Sequence, residues 1–270
     1  MLERLEEYLR KMTSDGIALA FSGGVDSTLL LAVLSRLFRQ KNFPLAVLTM
    51  RTILQDKEEM DEAGELAAKF GAEQKFFTFN PFSLEEVRHN RVDRCYHCKK
   101  AIFTQFRNYA EANGLKYLLD GTNADDLKVY RPGRKALKEL GVISPLAELE
   151  FDKAAIRQMS AELGLPTASK PAVPCLATRF EYNTLLDDNA ICRVASGEEM
   201  IKKMFPAVKD IRLRVHGSLA RLEVSAGHLA EVAARGKEIA GELEKLGFDY
   251  VTLDLKGFRS GSFDKGLKQN

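Results

Sequence analysis

The sequence lacks an excess of either charge. Its 40 Lys and Arg residues are offset by 38 Asp and Glu, a formal net charge of +2, so no global field recruits nucleic acid and only local basic clusters remain. It lacks any stretch approaching the roughly 20 apolar residues of a membrane helix, which argues against a membrane partner. It lacks the pattern of a signal peptide, because the first residues, MLERLEEYLRKM, place acidic and basic groups on a helical repeat. The cytoplasm is therefore the expected location. Cysteine is scarce as well. Cys95, Cys98, Cys175 and Cys192 do not make a disulfide framework in a chain of 270 residues, and in a reducing compartment they read as metal ligands or catalytic groups. Internal repeats and low-complexity tracts are also absent.

What is present is the composition of an ordinary globular chain, 45% hydrophobic and 29% charged, enough for one large or two modest domains. Leu2, Leu5, Tyr8 and Leu9 share one helical face. The apolar runs IALAFS, PLAVLTM, EQKFFTF and YLLD then read as strands, separated by helical patterns at residues 26–40, 56–71 and 99–113. Strands alternating with helices predict βαβ units, hence an α/β domain with a doubly wound parallel sheet over residues 1–165, closed by a helix that Asp152 caps. Residues 166–185 read as a proline-rich active-site loop or linker: LPTASKPAVPC holds three of the eight prolines and cannot be regular structure. A helix near 186–204, the strands DIRLRVHG and LARLEV joined by a short HGS turn, a helix near 227–246 and the strand YVTLDL predict a smaller C-terminal α+β domain over residues 186–258. The tail at 259–270, rich in Gly, Ser and Lys, is expected to be disordered.

Between the first strand and its helix lies FSGGVDST. A strand-to-helix turn presents free backbone N–H groups and the positive end of a helix dipole to an anion. Gly23 and Gly24 admit conformations and close approaches that other residues resist, while Ser22 and Ser27 add hydroxyls with Thr28 beside them. The lysine of the nucleoside-triphosphatase loop is missing, and Asp26 stands in that region as a magnesium-side ligand. Such a cradle suits a departing pyrophosphate bridged by Mg²⁺ better than a transferred γ-phosphoryl. The bland alternative is a Gly-Gly turn that only packs the helix on the sheet. DGTNADD, residues 120–126, follows the fourth strand and so lies at the carboxyl edge where open α/β sheets bind ligands. Gly121, Thr122 and Asn123 are placed to approach a nucleotide closely, Asp125 and Asp126 to reach metal or base.

Cys95 and Cys98 form a C-x-x-C pair, which alone reads as half a zinc site, a redox dithiol or two inert cysteines. Structural zinc wants four ligands, and neither a second such pair nor an H-x-x-x-H pattern exists; His97, between the two, is poorly placed to join them. Adding Cys175 makes three thiolates, a set suited to an iron–sulfur cluster with one iron open. Cys175 has a separate reading. Stiffened by prolines, with Lys170 and Arg179 close in sequence, it is a candidate low-pKa nucleophile or sulfur carrier. Cys192 reads as a small buried hydrophobe. Arg212, Arg214 and His216 alternate onto one strand face, a pattern that most often marks a solvated sheet surface.

SGGVDS in this setting resembles the PP-loop ATP pyrophosphatase superfamily, of adenine nucleotide alpha-hydrolase-like fold. That resemblance implies adenylation, in which a substrate oxygen attacks the α-phosphate of ATP and pyrophosphate stays in the loop. The ordered motifs SGGVDST, RCYHCK, DGTNADDLKVYRPG, SPLAELEFDKAAIR, LGLPTASKPAVPCLATR and RLRVHGSLARLEV narrow the resemblance to the LarE family, over residues 2–255. LarE proteins are ATP-dependent sulfur transferases of nickel-pincer nucleotide cofactor biosynthesis. The resemblance implies ATP and Mg²⁺, a small-molecule substrate (pyridinium-3,5-biscarboxylic acid mononucleotide) whose carboxylates become thiocarboxylates, and a homo-oligomer, specifically a hexamer. It implies that Arg212 and Arg214 bind the substrate's phosphate, with Arg221 and Glu223 in the same region and Glu199 and Glu231 as weaker candidates. Members with only the counterpart of Cys175 sacrifice its sulfur. Members with counterparts of Cys95, Cys98 and Cys175 hold a [4Fe–4S] cluster whose open iron carries sulfide, and all three are present here. Glu181-Tyr182-Asn183 departs from the Pro-Tyr-Gly of many members. The nearest rival, a tRNA thiolase of the same superfamily, is disfavoured by the near-neutral charge and the lack of further cysteine pairs. An ammonia-using synthetase would leave the cysteines without a role, and a non-catalytic ATP-binding regulator conflicts with the intact Ser22, Asp26 and Ser27.

Overall fold

The computed structural model describes residues 1–129, 131–259 and 263; the expected tail therefore lies, apart from Arg259 and Phe263, outside the described residues. Helix α1 (Leu2–Arg10) leads to β1 (Ile17–Ala20), α2 (Val25–Gln40), β2 (Leu45–Arg51), α3 (Lys57–Lys69) and β3 (Gln74–Thr78). A short α4 (Glu85–Arg88) precedes α5 (Arg94–Ala112) and β4 (Tyr117–Leu119). Then come α6 (Ala124–Leu127), α7 (Gly133–Glu139), α8 (Pro145–Glu148) and α9 (Lys153–Glu162). Beyond the prolines lie α10 (Asp188–Met204), β5 (Ile211–His216), β6 (Leu219–Val224), α11 (Leu229–Ala234), α12 (Gly236–Lys245) and β7 (Tyr250–Leu253). The chain divides into two compact units, residues 1–81 with 93–173, and residues 82–92 with 174–270.

In the first unit four parallel strands run in the order β3-β2-β1-β4, with Ile17 opposite Leu45 on one side and Tyr117 on the other. Successive residues of a strand face opposite ways, so each central strand feeds two cores. Ile17, Leu19, Val47 and Leu119 meet Leu5 and Leu9 of α1, Leu30 and Leu34 of α2 and Ile156 of α9. Ala18, Leu48, Met50 and Leu118 meet Phe103, Phe106 and Ala110 of α5 and Leu137 of α7. Helices thus cover both faces of a parallel sheet, the doubly wound α/β arrangement expected. Burying each such Leu contributes about 1.5–3 kcal/mol, which holds the sheet edge that carries the site. Among the described residues no helix is long and apolar enough to cross a membrane.

In the second unit β5 and β6 form an antiparallel hairpin that sets Arg212 opposite Glu223 and Arg214 opposite Arg221, and β7 runs parallel to β6. Three boundaries differ from the sequence reading. The helix expected at 99–113 begins at Arg94, so Cys95 and Cys98 occupy its first turn; Asp93 makes no side-chain cap that would mark the start. The helix expected at 227–246 breaks at Arg235 into α11 and α12. Residues 82–92, which the sequence reading leaves in the first domain, belong to the second unit. Buried Asn90 knits them in: its side chain donates to the carbonyls of Phe180 and Glu181 at 3.2 and 2.8 Å, and its own carbonyl accepts the Asn183 amide at 3.1 Å.

Candidate active site

The phosphate loop joins β1 to α2. The Ser22 amide donates to Ser27 Oγ at 3.3 Å, the two hydroxyls lie 3.2 Å apart, and Ser27 Oγ donates to the Gly24 carbonyl at 3.2 Å. Gly24 is the N-cap of α2 and supplies no side chain, so the first-turn amides of this 16-residue helix are open to an anion. Gly23 has φ +72°, and a Cβ there would lie 2.8 Å from Ala63 Cβ on α3. Gly23→Ala is therefore expected to destabilise the protein by ~1–3 kcal/mol and to weaken MgATP binding, measured by urea unfolding and nucleotide titration.

Asp26, in the first turn of α2, is reached from far along the chain. Lys153 Nζ donates to its Oδ2 at 2.6 Å and Asn123 Nδ2 to its Oδ1 at 3.2 Å. Asn123 is rigid because it caps α6 reciprocally with Asp126, accepting the Asp125 and Asp126 amides at 3.0 and 3.2 Å. Asp125 accepts the Lys153 amide at 2.9 Å and the Lys128 ammonium at 2.8 Å, and Lys128 holds its carboxyl below the usual range. Lys153 opens α9 directly after Asp152, which accepts the Ala155 amide at 2.8 Å. A Cβ on Gly121 would come within 3.1 Å of the Ser27 nitrogen and 3.2 Å of Asp26 Cβ, so this turn lies against the loop. A lysine is thus brought to the loop by α9, one that lies within the motif SPLAELEFDKAAIR but was given no role there. A cation at a helix N-terminus opposes the helix dipole, and that local misfit is the signal that could have found it.

Cys95 is exposed and Cys98 half-buried on the first turn of α5, and none of the four cysteines forms a disulfide. One residue on, Lys99 Nζ lies 3.9 Å from buried Asp120, whose carboxylate also accepts from Thr122 and Ser144 at 2.6 and 2.5 Å. The thiol-bearing turn therefore borders the nucleotide-side turn.

In the second unit Cys175 is exposed. Buried Arg179 grips Glu198 with two bonds of 2.8 and 2.9 Å and donates to the Pro174 carbonyl at 2.9 Å. Arg214 pairs with Glu223 at 3.0 Å and donates to the Thr178 carbonyl at 2.7 Å; Arg221 bridges Glu223 and Asp254, each at 3.2 Å. Arg212 differs. Buried over the Phe258 ring, it donates only to the Ile211 carbonyl at 2.7 Å, meets no carboxylate among the described residues, and leaves Nε without a partner. Burial, then the neighbouring Arg179 charge, pushes its pKa below the ordinary guanidinium value.

Residues 1–126 match a family model described as a PP-loop domain. An uncharacterized protein of Synechocystis sp. is 34% identical over 98% of this chain and 97% of its own length. The pyridinium-3,5-bisthiocarboxylic acid mononucleotide synthase of Lactiplantibacillus plantarum is 35% identical over 93% of this chain and 90% of its own. The chain belongs to the LarE family. A tRNA-specific 2-thiouridylase of Caldanaerobacter subterraneus is more distant from this LarE-family chain, at 24% identity over 88% of it and 80% of its own length.

The residues singled out in the LarE-family motifs fall into place unevenly. Ser22, Gly23, Gly24, Asp26, Ser27, Gly121 and Asp125 come together around the helix end, whereas Thr28 is fully buried with its hydroxyl unpartnered. Arg212 and Arg214 are buried, not a solvated stripe, and His216 is held by Glu181 at 2.8 Å. Cys192 is exposed rather than buried, since Ile191 and Val194 take the inner face of α10. Glu199 pairs with Lys203 and Glu231 with His228, all at the surface. Lys170 is engaged by Glu59 and Glu62, and Arg179 by Glu198, so neither is a spare cation for the Cys175 thiolate. Asn183 takes φ +63°, a left-handed conformation that asparagine tolerates, so it can stand in for the family's glycine. Cys95 and Cys98 belong to the first unit and Cys175 to the second; among the described residues no three His, Cys, Asp or Glu side chains are gathered as a metal site.

Proposed function

We propose that this LarE-family protein is an ATP-dependent sulfur transferase that adenylates the carboxylates of pyridinium-3,5-biscarboxylic acid mononucleotide and converts them to thiocarboxylates. The observation that carries this reading is the Asp26–Lys153–Asn123 node beside an open helix N-terminus, in a chain 35% identical to a synthase of the corresponding bisthiocarboxylic acid. Ser22, Gly23, Gly24 and Ser27 cradle the β- and γ-phosphates. The oxygen donors there suit Mg²⁺, which takes one or two carboxylates plus phosphate oxygens, and Asp26 would hold it. Lys153 neutralises the charge that grows on the departing pyrophosphate, the role of a preorganised cation in a sheltered site. A substrate carboxylate oxygen attacks the α-phosphorus, the bond from that phosphorus to the bridging oxygen of pyrophosphate breaks, and an acyl adenylate forms. Sulfur then attacks the acyl carbon, and the C–O bond to AMP breaks.

The substrate's own phosphate is assigned to Arg212 and Arg214. A buried guanidinium with an unpartnered Nε is satisfied by an anion, and phosphate accepts from two N–H groups at once. The donor set of Cys95, Cys98 and Cys175 fits a [4Fe–4S] cluster: three thiols outside any disulfide, two of them on one helical turn. When bound, such a cluster supplies a sulfide on its open iron as the attacking sulfur. The exposure of Cys175 also favours a second route. There its Sγ attacks the acyl carbon, AMP leaves, and loss of the Cα proton breaks Cβ–Sγ to leave dehydroalanine. The protein is assigned to the cytoplasm as a homo-oligomer. Pyrophosphate release is the test: the pyridinium mononucleotide should stimulate it and bulk tRNA should not, whereas stimulation by tRNA alone would favour a tRNA thiolase.

A further inference from the structure

Within the second unit, Arg179, Arg214 and Arg221 are each paired with an acid: Glu198, Glu223 and Asp254. Arg212 is held differently. It is only 7% exposed, has no carboxylate partner among the described residues, and its Nε meets no acceptor. What faces it is the Phe258 ring, whose centroid lies 5.1 Å from the guanidinium carbon, inside the ~6 Å range of a cation–π contact. The backbone fixes that ring. Just past β7 the Asp254 amide donates to the Leu222 carbonyl at 2.8 Å, the Gly257 amide to the Asp254 carbonyl at 2.9 Å, and the Phe258 amide to the Val224 carbonyl at 2.8 Å. Gly257 turns at φ +68°, and a Cβ there would lie 2.8 Å from the Val224 oxygen, so the chain passes this close to β6 only without a side chain. Arg259 secures the far side of the turn by donating to Asp254 at 3.1 Å. A second ring, Phe263, stands 5.7 Å from both Arg214 and Arg221, but those two have their acids as well.

We infer that Phe258 is a positioning residue for the substrate's phosphate: it holds Arg212 by its face and leaves the charge and the Nε hydrogen for the anion. The inference deepens the phosphate assignment made above and rests on it. A carboxylate would occupy the N–H groups of Arg212 and cancel its charge, whereas an aromatic face attracts the cation and takes up no donor. The Arg179 and Arg214 charges crowd Arg212, a repulsion that a bound phosphate dianion relieves. Without the ring, Arg212 keeps its charge but loses its fixed orientation, and binding must first order the side chain. The phosphate is not the group that reacts, so a weaker grip on it raises KM and leaves the chemical step alone.

The experiment follows pyrophosphate release at varied pyridinium mononucleotide in the wild type, Phe258→Leu, Phe258→Tyr, Arg212→Ala and the double variant Phe258→Leu/Arg212→Ala. Phe258→Leu should raise the KM for the mononucleotide about tenfold. Its kcat and its KM for MgATP should stay within about twofold of wild type, which certifies the fold. Phe258→Tyr should restore the wild-type KM, because a phenol presents the same aromatic face. Arg212→Ala should raise KM at least as far as Phe258→Leu, and the double variant no further than Arg212→Ala, since a residue that acts through Arg212 adds nothing once Arg212 is gone. A wild-type KM in Phe258→Leu, a kcat that falls in step with the KM change, or a double variant in which the two effects multiply would overturn the inference and leave the phosphate assignment standing. A wild-type KM in Arg212→Ala would overturn both.

Discussion

Cys175→Ser should keep adenylating the substrate and stop sulfurating it. Both sulfur routes pass through Cys175, as cluster ligand or as donor, whereas nothing in the Asp26 node depends on it. Pyrophosphate release is expected to stay within a few-fold of wild type, and thiocarboxylate to fall by about 10³-fold or more, the scale seen when a reacting group is removed. Thiocarboxylate at the wild-type level would remove Cys175 from the chemistry. Cys95→Ser then separates the routes. If a cluster supplies the sulfur, this variant loses iron and repeated turnover under anaerobic conditions. If Cys175 is sacrificed, the variant behaves as wild type, and intact mass finds Cys175 converted to dehydroalanine after one turnover.

Lys153→Ala should fail one step earlier. The ammonium sits 2.6 Å from Asp26, at the end of a helix whose dipole disfavours it, held by a backbone bond to Asp125. A cation held there beside an open helix N-terminus is placed where phosphate chemistry would use it. Removing a preorganised donor of this kind costs about 10²–10³-fold in rate, so pyrophosphate and thiocarboxylate should fall together by that factor. Their ratio should not change, which distinguishes this variant from Cys175→Ser. Pyrophosphate release within a few-fold of wild type would reduce Lys153 to a pin between α2 and α9.

The frame of the first unit was legible because it is written in local periodicity. The apolar runs at 17–22 and 44–50 became β1 and β2, Gly71 follows α3 at φ +68°, and Asp152 caps α9 as its position suggested. The node at Asp26 was half legible. Its loop has a signature, but Lys153 arrives from 127 residues away and leaves no periodic trace. The burial of the arginines was not legible, for a different reason. Arg-x-Arg on a strand looks the same whether water or protein faces it, and only the fold shows both side chains buried, with Arg214 paired to Glu223 of the neighbouring strand. Residues 82–92 escaped because one buried asparagine, rather than any pattern, attaches them to the second unit.

The central claim is that ATP cleavage to AMP and pyrophosphate is coupled to replacing a carboxylate oxygen by sulfur on a pyridinium mononucleotide. Its most direct test is the mass of that mononucleotide after anaerobic incubation with MgATP and the protein, with pyrophosphate counted in the same reaction. A mass gain of one oxygen-to-sulfur exchange per carboxylate is expected, each with one pyrophosphate released. A mononucleotide of unchanged mass, with no pyrophosphate formed, would contradict it.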